Sequence, residues 1–471
     1  MLLKNIRVKS VTRMLWNNAY SAIHQNWLKV TDSNTQKVSK DIHSVLEEHP
    51  RRKPKPKQPY TMNVRKNLSL SWVSYNGKII VISKSLNTFG HAFIAILLGI
   101  YLADIGFTII QVGAFFSAGV AGGAVFAFFV GIFGDSIGRR RLLIIFTGIT
   151  AICGSILAVI DHFPLLMIVA FIGNFDGKDG QGSSQALLPI EQASLSDASS
   201  QNRRTDLFAL YRISATICAA FGALAAGIPE IYRQIFGLSA LFSIQIMFFT
   251  FSVILVISAI CYSRLSIEFD VSKSSAKWVN PFKLPSRNII FTLVGLFSLD
   301  AFGGSLIIQS LVAYWFKSNF GLDVGSLALV FFFSHIFSAT SLWISAKLTN
   351  RFGAINTMVF THIPANLFLL AAAFAPNATI AVILWQLRSF LSQMDVPPRD
   401  SYTMGILESE ERVSMASMHV VGRNVTGTIG PSTSTILWQF MGAGAPFIVG
   451  SITKITYDII LYAMFRNIKP K

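Results

Sequence analysis

Twelve apolar stretches, each long enough to approach or exceed a bilayer crossing, follow one another along this chain between residues 79 and 465. A hydrocarbon core of about 30 Å takes roughly 20 apolar residues of α-helix. In lipid, helices satisfy their own backbone groups, which is why such runs fold as helices. The stretches are Ile79–Leu102, Ile109–Phe133, Arg141–Ile160, Phe163–Leu188, Leu207–Ile228, Phe236–Cys261, Ile289–Trp315, Val324–Ala346, Ala354–Ala375, Thr379–Met394, Val413–Phe440 and Gly442–Phe465. Only 13% of the residues are charged, about half of what a soluble chain carries. The expected fold is an all-α polytopic membrane protein of twelve spans.

The spans divide evenly about a polar stretch. That predicts a tail over 1–78, a six-helix bundle over 79–262, a connecting loop over 263–287, a second six-helix bundle over 288–466 and a short tail over 467–471. Basic residues set the orientation, because loops rich in Lys and Arg stay cytoplasmic. With the N-terminus inside, the short inner loops and C-terminal tail hold 17 Lys and Arg, against two, Arg233 and Lys317, outside. Both termini are therefore expected in the cytoplasm, in a plasma or inner membrane rather than an organellar one. Cys153, Cys218 and Cys261 all fall within spans, giving neither a disulfide framework nor metal-ligand spacing.

Residues 1–78 carry 15 Lys and Arg against 4 acidic residues, and include the stiff basic stretch HPRRKPKPKQPY. Beside a membrane such a tail is expected to lie on anionic lipid. An organellar transit peptide is the second reading, and nucleic-acid binding is set aside. No apolar signal-peptide core is read.

The two halves repeat. SLNTFGH at 85–91 matches SLDAFGG at 298–304, and GIFGDSIGRR at 131–140 matches AKLTNRFGAI at 346–355 in spacing, at offsets of 213 and 215. Gly131 thereby faces Ala346, Asp135 faces Asn350 and Gly138 faces Gly353. Duplicated sets of helices suit a transporter built as two bundles about a midplane site. The run Gly131, Asp135, Gly138, Arg139, Arg140 and Arg141, between spans two and three, resembles the signature loop of the major facilitator superfamily. Its degenerate copy, with Asn350, Arg351 and Gly353, lies between spans eight and nine, where that superfamily also has one. Ser136 stands where the family usually has a basic residue. The resemblance covers about 79–466 and implies secondary transport by alternating access, with the two loops acting as latches between bundles. Without the resemblance, the arginines alone would make a topogenic loop.

Ionisable groups inside spans are costly and mark cavities or partners. Asp300 lies about 16 Å into span seven, beside Gly303 and Gly304, with Asn87 as its repeat partner. It is expected to carry a proton or touch solute, the bland alternative being a carboxylate permanently paired with arginine. Arg388 in span ten, sharing a face with Trp385 and Asp395, is a possible partner or anion-binding group. His91 is a candidate cavity residue; His335, His362 and His419 are read as packing. Arg212 and Arg423 are expected in structural charge pairs with Glu191 and with Glu408 or Asp395. Lys454 and Asp458, an i,i+4 pair in span twelve, are expected to neutralise each other.

The stretch FIGNFDGKDGQGSSQALLPIEQ, 171–192, puts Asp176, Lys178 and Asp179 among four glycines about 20 to 24 Å into span four. Its expected place is the broken inner end of that span, walling a cytoplasmic vestibule. No phosphate-binding loop, zinc-protease helix or nucleophile elbow is present, so neither an ATP-driven pump nor a hydrolase is indicated. The chain is expected to be a proton-coupled carrier of a small solute, working as a monomer without metal or cofactor, with export the preferred direction. The alternative is a transport-dead sensor or scaffold acting through its basic tail.

Overall fold

The apolar stretches fold as helices, sixteen of them among the residues that the computed structural model describes, 72–178, 187–198, 204–266, 284–407 and 411–468. All of these lie in one unit, Leu70–Lys471. The basic tail, Asp179 and Glu408 lie outside the described residues. In chain order the helices are α1 (Tyr75–Asp104), α2 (Ile109–Ile137), α3 (Arg139–Leu157), α4 (Phe163–Gly173), α5 (Leu188–Asp197), α6 (Arg204–Ala225), α7 (Ile228–Phe236) and α8 (Ala240–Ser263). The second half holds α9 (Arg287–Ser305), α10 (Gln309–Phe320), α11 (Val324–Phe352), α12 (Ala354–Ala372), α13 (Ala378–Leu391), α14 (Val396–Ile406), α15 (Arg412–Met441) and α16 (Ala445–Phe465). Among the described residues no strand occurs.

Local chemistry places the ends. The Ser74, Asp323 and Asn377 side chains accept the backbone N–H three residues on and start α1, α11 and α13. Proline stands in the first turn of α4, α7, α14 and α16, where its missing N–H costs nothing. The repeat is legible in the backbone. α2 and α11 are each 29 residues long, α3 and α12 each 19, and single glycines join them. Those joints, Gly138 and Gly353, have φ of 102° and 84°, a region that side chains with a Cβ avoid.

Nine helical segments among the described residues are long and apolar enough to span a bilayer. Spans four, ten and eleven of the sequence reading are not among them. Span four is the 11-residue α4 followed by α5, and span ten is α13 followed by α14, with the turn Ser392–Asp395 between. Span eleven is the continuous α15, made polar by residues such as Arg423 and Asn424. Span seven is also interrupted, after Ser305. A separate helix, α7, precedes span six, where a loop was expected; it leaves Ile231, Ile235 and Phe236 exposed.

We call the level of Tyr75 and Phe465 the terminal side, and that of Asp104 and Phe163 the far side. The apolar core is unevenly shared between these levels. A large cluster on the far side mixes both halves, from Leu97, Phe116 and Phe248 to Leu311, Trp315 and Phe447. On the terminal side there are two clusters. One holds only first-half residues such as Ile80, Leu143 and Tyr262; the other holds only second-half residues such as Leu293, Met358 and Leu461. Large side chains on the outside, Phe128, Phe221, Phe360 and Val425 among them, are more than half exposed, as lipid-facing residues should be.

Candidate functional site

The hydrogen bonds and ion pairs that join the halves, among the described residues, follow the same division. Gln309 and Ser310 of α10 donate to the Ala92 and Ala95 carbonyls of α1, Lys317 pairs with Asp104 at 2.9 Å, and Ser432 of α15 bonds Ser117 of α2 at 2.8 Å. All of these lie in the far half of their spans. Among the described residues, no hydrogen bond or ion pair joins the halves on the terminal side, and the charged groups described below lie toward that side.

In the second half, helices α9, α12, α14 and α16, with the turn before α14, bring six ionisable side chains into one buried cluster. Asp300 receives Lys454 Nζ at 2.6 Å and Arg399 at 3.2 Å, with His362 Nε2 3.9 Å away. Arg399 also pairs with Asp395 at 3.1 Å, and His362 Nδ1 lies 2.9 Å from Asp458. Three carboxylates thus face two fixed cations and one histidine. A proton on His362 makes the cluster neutral; without it one carboxylate is in excess, in a place hidden from water. Buried charge is tolerated only when paired in this way. The Tyr457 hydroxyl, buried with no hydrogen-bond partner, lies beside the cluster.

This cluster corrects several expectations. Lys454 and Asp458 do not neutralise each other, because each turns to a different helix. His362 is an ion-network member rather than packing. Asp300 is multiply paired rather than isolated, and Arg388 is not its partner; the Arg388 guanidinium instead stacks over Trp385 at 4.6 Å. Spacing along one helix could not reveal these pairs, since Asp300 and Lys454 stand 154 positions apart.

The first half holds a smaller counterpart. Glu191 of α5, fully buried, accepts Tyr211 at 2.5 Å and Tyr262 at 2.7 Å, and Lys84 of α1 stands 3.8 Å away. Glu191 and Arg399 are each the fourth residue of the short helix following a break. The two halves therefore use one plan with reversed sign: cation on α1 and acid on α5, acid on α9 and cation on α14. Sequence reading missed Lys84, although a lysine amid the apolar residues of span one was a visible signal. The expected Arg212–Glu191 pair does not form.

The glycine-rich stretch sits elsewhere than expected. α4 ends at Gly173, about 16 Å from its far-side start. Asn174 takes a left-handed conformation, φ 58°, and its buried amide has no hydrogen-bond partner among the described residues. The chain then crosses toward the second half, where the Gly177 carbonyl accepts Ser310 N–H at 3.0 Å. α2 is notched for it: a methyl on Gly119, Gly122 or Gly123 would overlap Phe175, Phe171 or Asn174. Asp176 and Lys178, 3.8 Å apart, therefore lie near mid-depth between the bundles and not on the wall of a terminal vestibule.

The remaining candidates are scattered. Asn87 is buried; His91 bonds its carbonyl through Nδ1 at 2.8 Å and meets Phe251 edge-on, with Nε2 lacking a partner. In the signature loop, Gly131 and Asp135 lie in the last turns of α2, and their side chains are outside the described set. Arg139 is buried, and Arg140 donates to the Ser263 carbonyl at the end of α8. In the second copy Asn350 is exposed, and Arg351 lies 5.3 Å from the Phe352 ring. Arg212 and Arg423 are exposed and make no ion pair among the described residues; Asp395, one expected partner of Arg423, is held by Arg399, and the other, Glu408, lies outside them. No group of three or more potential metal ligands occurs among the described residues.

Comparison with known proteins agrees with this geometry. Residues 80–431 match the profile of the Major Facilitator Superfamily. A curated relative, the uncharacterized membrane protein YJR124C of Saccharomyces cerevisiae, is 22% identical over 411 residues, covering 79% of this chain and 90% of the relative. Among solved structures, the nucleoside transporter NupG superposes with a TM-score of 0.66 at 15% identity, covering 83% of this chain and 99% of its own. A bacterial homolog of the human lysosomal transporter Spinster, inward-facing and occupied, gives 0.63 at 15% identity, covering 83% of this chain and 96% of its own.

Proposed function

Since the chain belongs to the Major Facilitator Superfamily, we propose that it carries a small solute across a membrane by alternating access, coupled to protons. Family and fold support membrane transport, and they point away from an enzyme. The observation that supports the finer reading is the division of the core. One shared apolar cluster on the far side and two separate ones on the terminal side let the bundles rock apart without either losing its own interior. Such bistable packing is what rigid-body exchange between two states requires. With both termini cytoplasmic, the terminal side between the bundles is a cleft that faces inward, and the loops at Asp135–Arg140 and Asn350–Gly353 are the latches that meet when it closes.

The proton site is the cluster around Asp300. Its charge balance depends on the proton of His362, and Asp300, Asp395, Asp458, Lys454 and Arg399 are the groups that feel the change. Closing the cleft moves α9 and α14 against the first half, which alters water access to that site. Asn87, His91, Arg388, Asp176 and Asp179 are the proposed solute-side residues, and anionic lipid remains the proposed partner of the tail. The test is proton movement in proteoliposomes holding a pH dye, with wild type and Asp300→Asn side by side over cationic, anionic and neutral solutes. Solute-dependent proton flux lost in the variant supports coupling. Flux unchanged in the variant removes Asp300 from it.

A further inference from the structure

Arg212 and Arg423 stand 211 positions apart, at matching places in spans five and eleven. They are about 12 Å and about 16 Å along α6 and α15 from the terminal side. Other cations inside the spans have partners: Lys84 has Glu191, Lys454 and Arg399 have Asp300, Lys178 has Asp176. Among the described residues Arg212 and Arg423 have none, yet neither points to lipid. On α15 the exposed apolar residues Val421, Val425, Ile429 and Ile436 mark the lipid face. At about 100° per residue, Arg423 lies nearly opposite that stripe, on the line of Gly427 and Gly430. On α6 the lipid stripe is Ile213, Ile217, Phe221 and Leu224, while Arg212 shares its line with the fully buried Ala219 and Ala223.

These two exposed arginines turn away from the lipid stripes, toward the space between the bundles that the carrier reading above makes a cleft. A guanidinium at that depth without a protein counter-charge is costly, and the missing charge must come from what enters. A further cation, itself paired with Asp176, lies close by. A Cβ on Gly427, one turn from Arg423, would lie 3.9 Å from Lys178 Nζ. Of the acids within reach of Arg423, Asp300 and Asp395 are already engaged, and Asp400 acts on it electrostatically without pairing.

Resting on the carrier reading above, we propose that the solute is an organic or inorganic anion, held by Arg212 from one bundle and Arg423 from the other. A guanidinium binds carboxylate or phosphate through paired N–H donors. One arginine per bundle also means that full binding requires both halves to close on the anion.

The experiment is binding to the purified full chain in lipid nanodiscs, read by thermal shift and by isothermal titration. The probes are succinate, citrate and inorganic phosphate, with uridine and tetraethylammonium as neutral and cationic comparators. We expect at least one anion to bind and neither comparator to do so. R212Q and R423Q should each weaken that binding about tenfold to a hundredfold, as loss of a charge-assisted hydrogen bond does, while R212K and R423K retain part of it. The lysine variants show that the loss is not misfolding. Absence of anion binding, preference for a comparator, or anion binding indifferent to both Gln variants overturns the proposal. Binding needs no flux, so an anion that binds without being carried would retain this site and reject the carrier reading. A neutral solute carried normally by R212Q and R423Q would do the reverse.

Discussion

Lys454 on α16 places its ammonium 2.6 Å from Asp300 on α9, and so ties the last helix of the fold to the first helix of the second bundle. Span twelve is thereby part of the charged centre rather than a peripheral strut. Its two ionisable residues serve two different partners across the bundle.

Removing one member of this pair should cost more than removing both. Lys454→Ala leaves Asp300 buried with less counter-charge, and about 3–5 kcal/mol of stability should go with it. Adding Asp300→Asn should restore part of the loss. A double-mutant cycle on thermal unfolding in nanodiscs measures the coupling; additive losses would show the pair to be independent.

Replacing His362 should separate proton movement from solute movement. His362→Gln keeps a polar side chain near Asp458 but cannot take up a proton. Solute exchange at equal pH on both sides should continue, while solute-driven proton flux falls at least tenfold. Exchange and pH-dye signals recorded on the same vesicles distinguish this from general inactivation.

The first-half cluster makes a parallel claim on stability. Glu191→Gln leaves Lys84 near neutral acceptors in a fully buried site, with an expected loss of about 3–5 kcal/mol. Lys84→Met combined with Glu191→Gln should recover much of it, since replacing both charges by neutral side chains removes the cost of burying an unpaired ion. Unfolding midpoints of the single and double variants decide the point.

The notch in α2 predicts a sharp positional contrast. Gly119→Ala forces a methyl onto the Phe175 backbone, which should cost about 1–3 kcal/mol and disturb the segment between α4 and α5. Gly148→Ala on α3 meets nothing within 4 Å and should be neutral or slightly stabilising. Equal effects at the two sites would contradict the close approach.

Asp104 and Lys317 span the closed far side at 2.9 Å, each about a third exposed. The ion pair itself should contribute less than about 1 kcal/mol. Asp104→Cys with Lys317→Cys, bridged by a short bis-methanethiosulfonate reagent, should instead lock the far side and stop transport, with activity returning on reduction. Crosslinking that leaves flux intact would mean that the far side need not open.

The amino-acid order by itself determined the solvent, the number of spans and the duplication. Each follows from local quantities: the length of an apolar run, the period of a repeat, a glycine where φ must be positive. Even the break after Gly173 was legible, because glycines and aspartates close together weaken a helix wherever it lies. Which charges meet was decided only in three dimensions. Lys454 and Asp458 are four residues apart and look like partners, yet the packing of α16 against α9 and α12 gives each a stronger one. Arg212 and Arg423 look like structural cations by sequence, and only the fold shows them exposed and without an ion pair among the described residues. Pairing energy depends on distance and dielectric across the fold, and neither is a property of the chain's order.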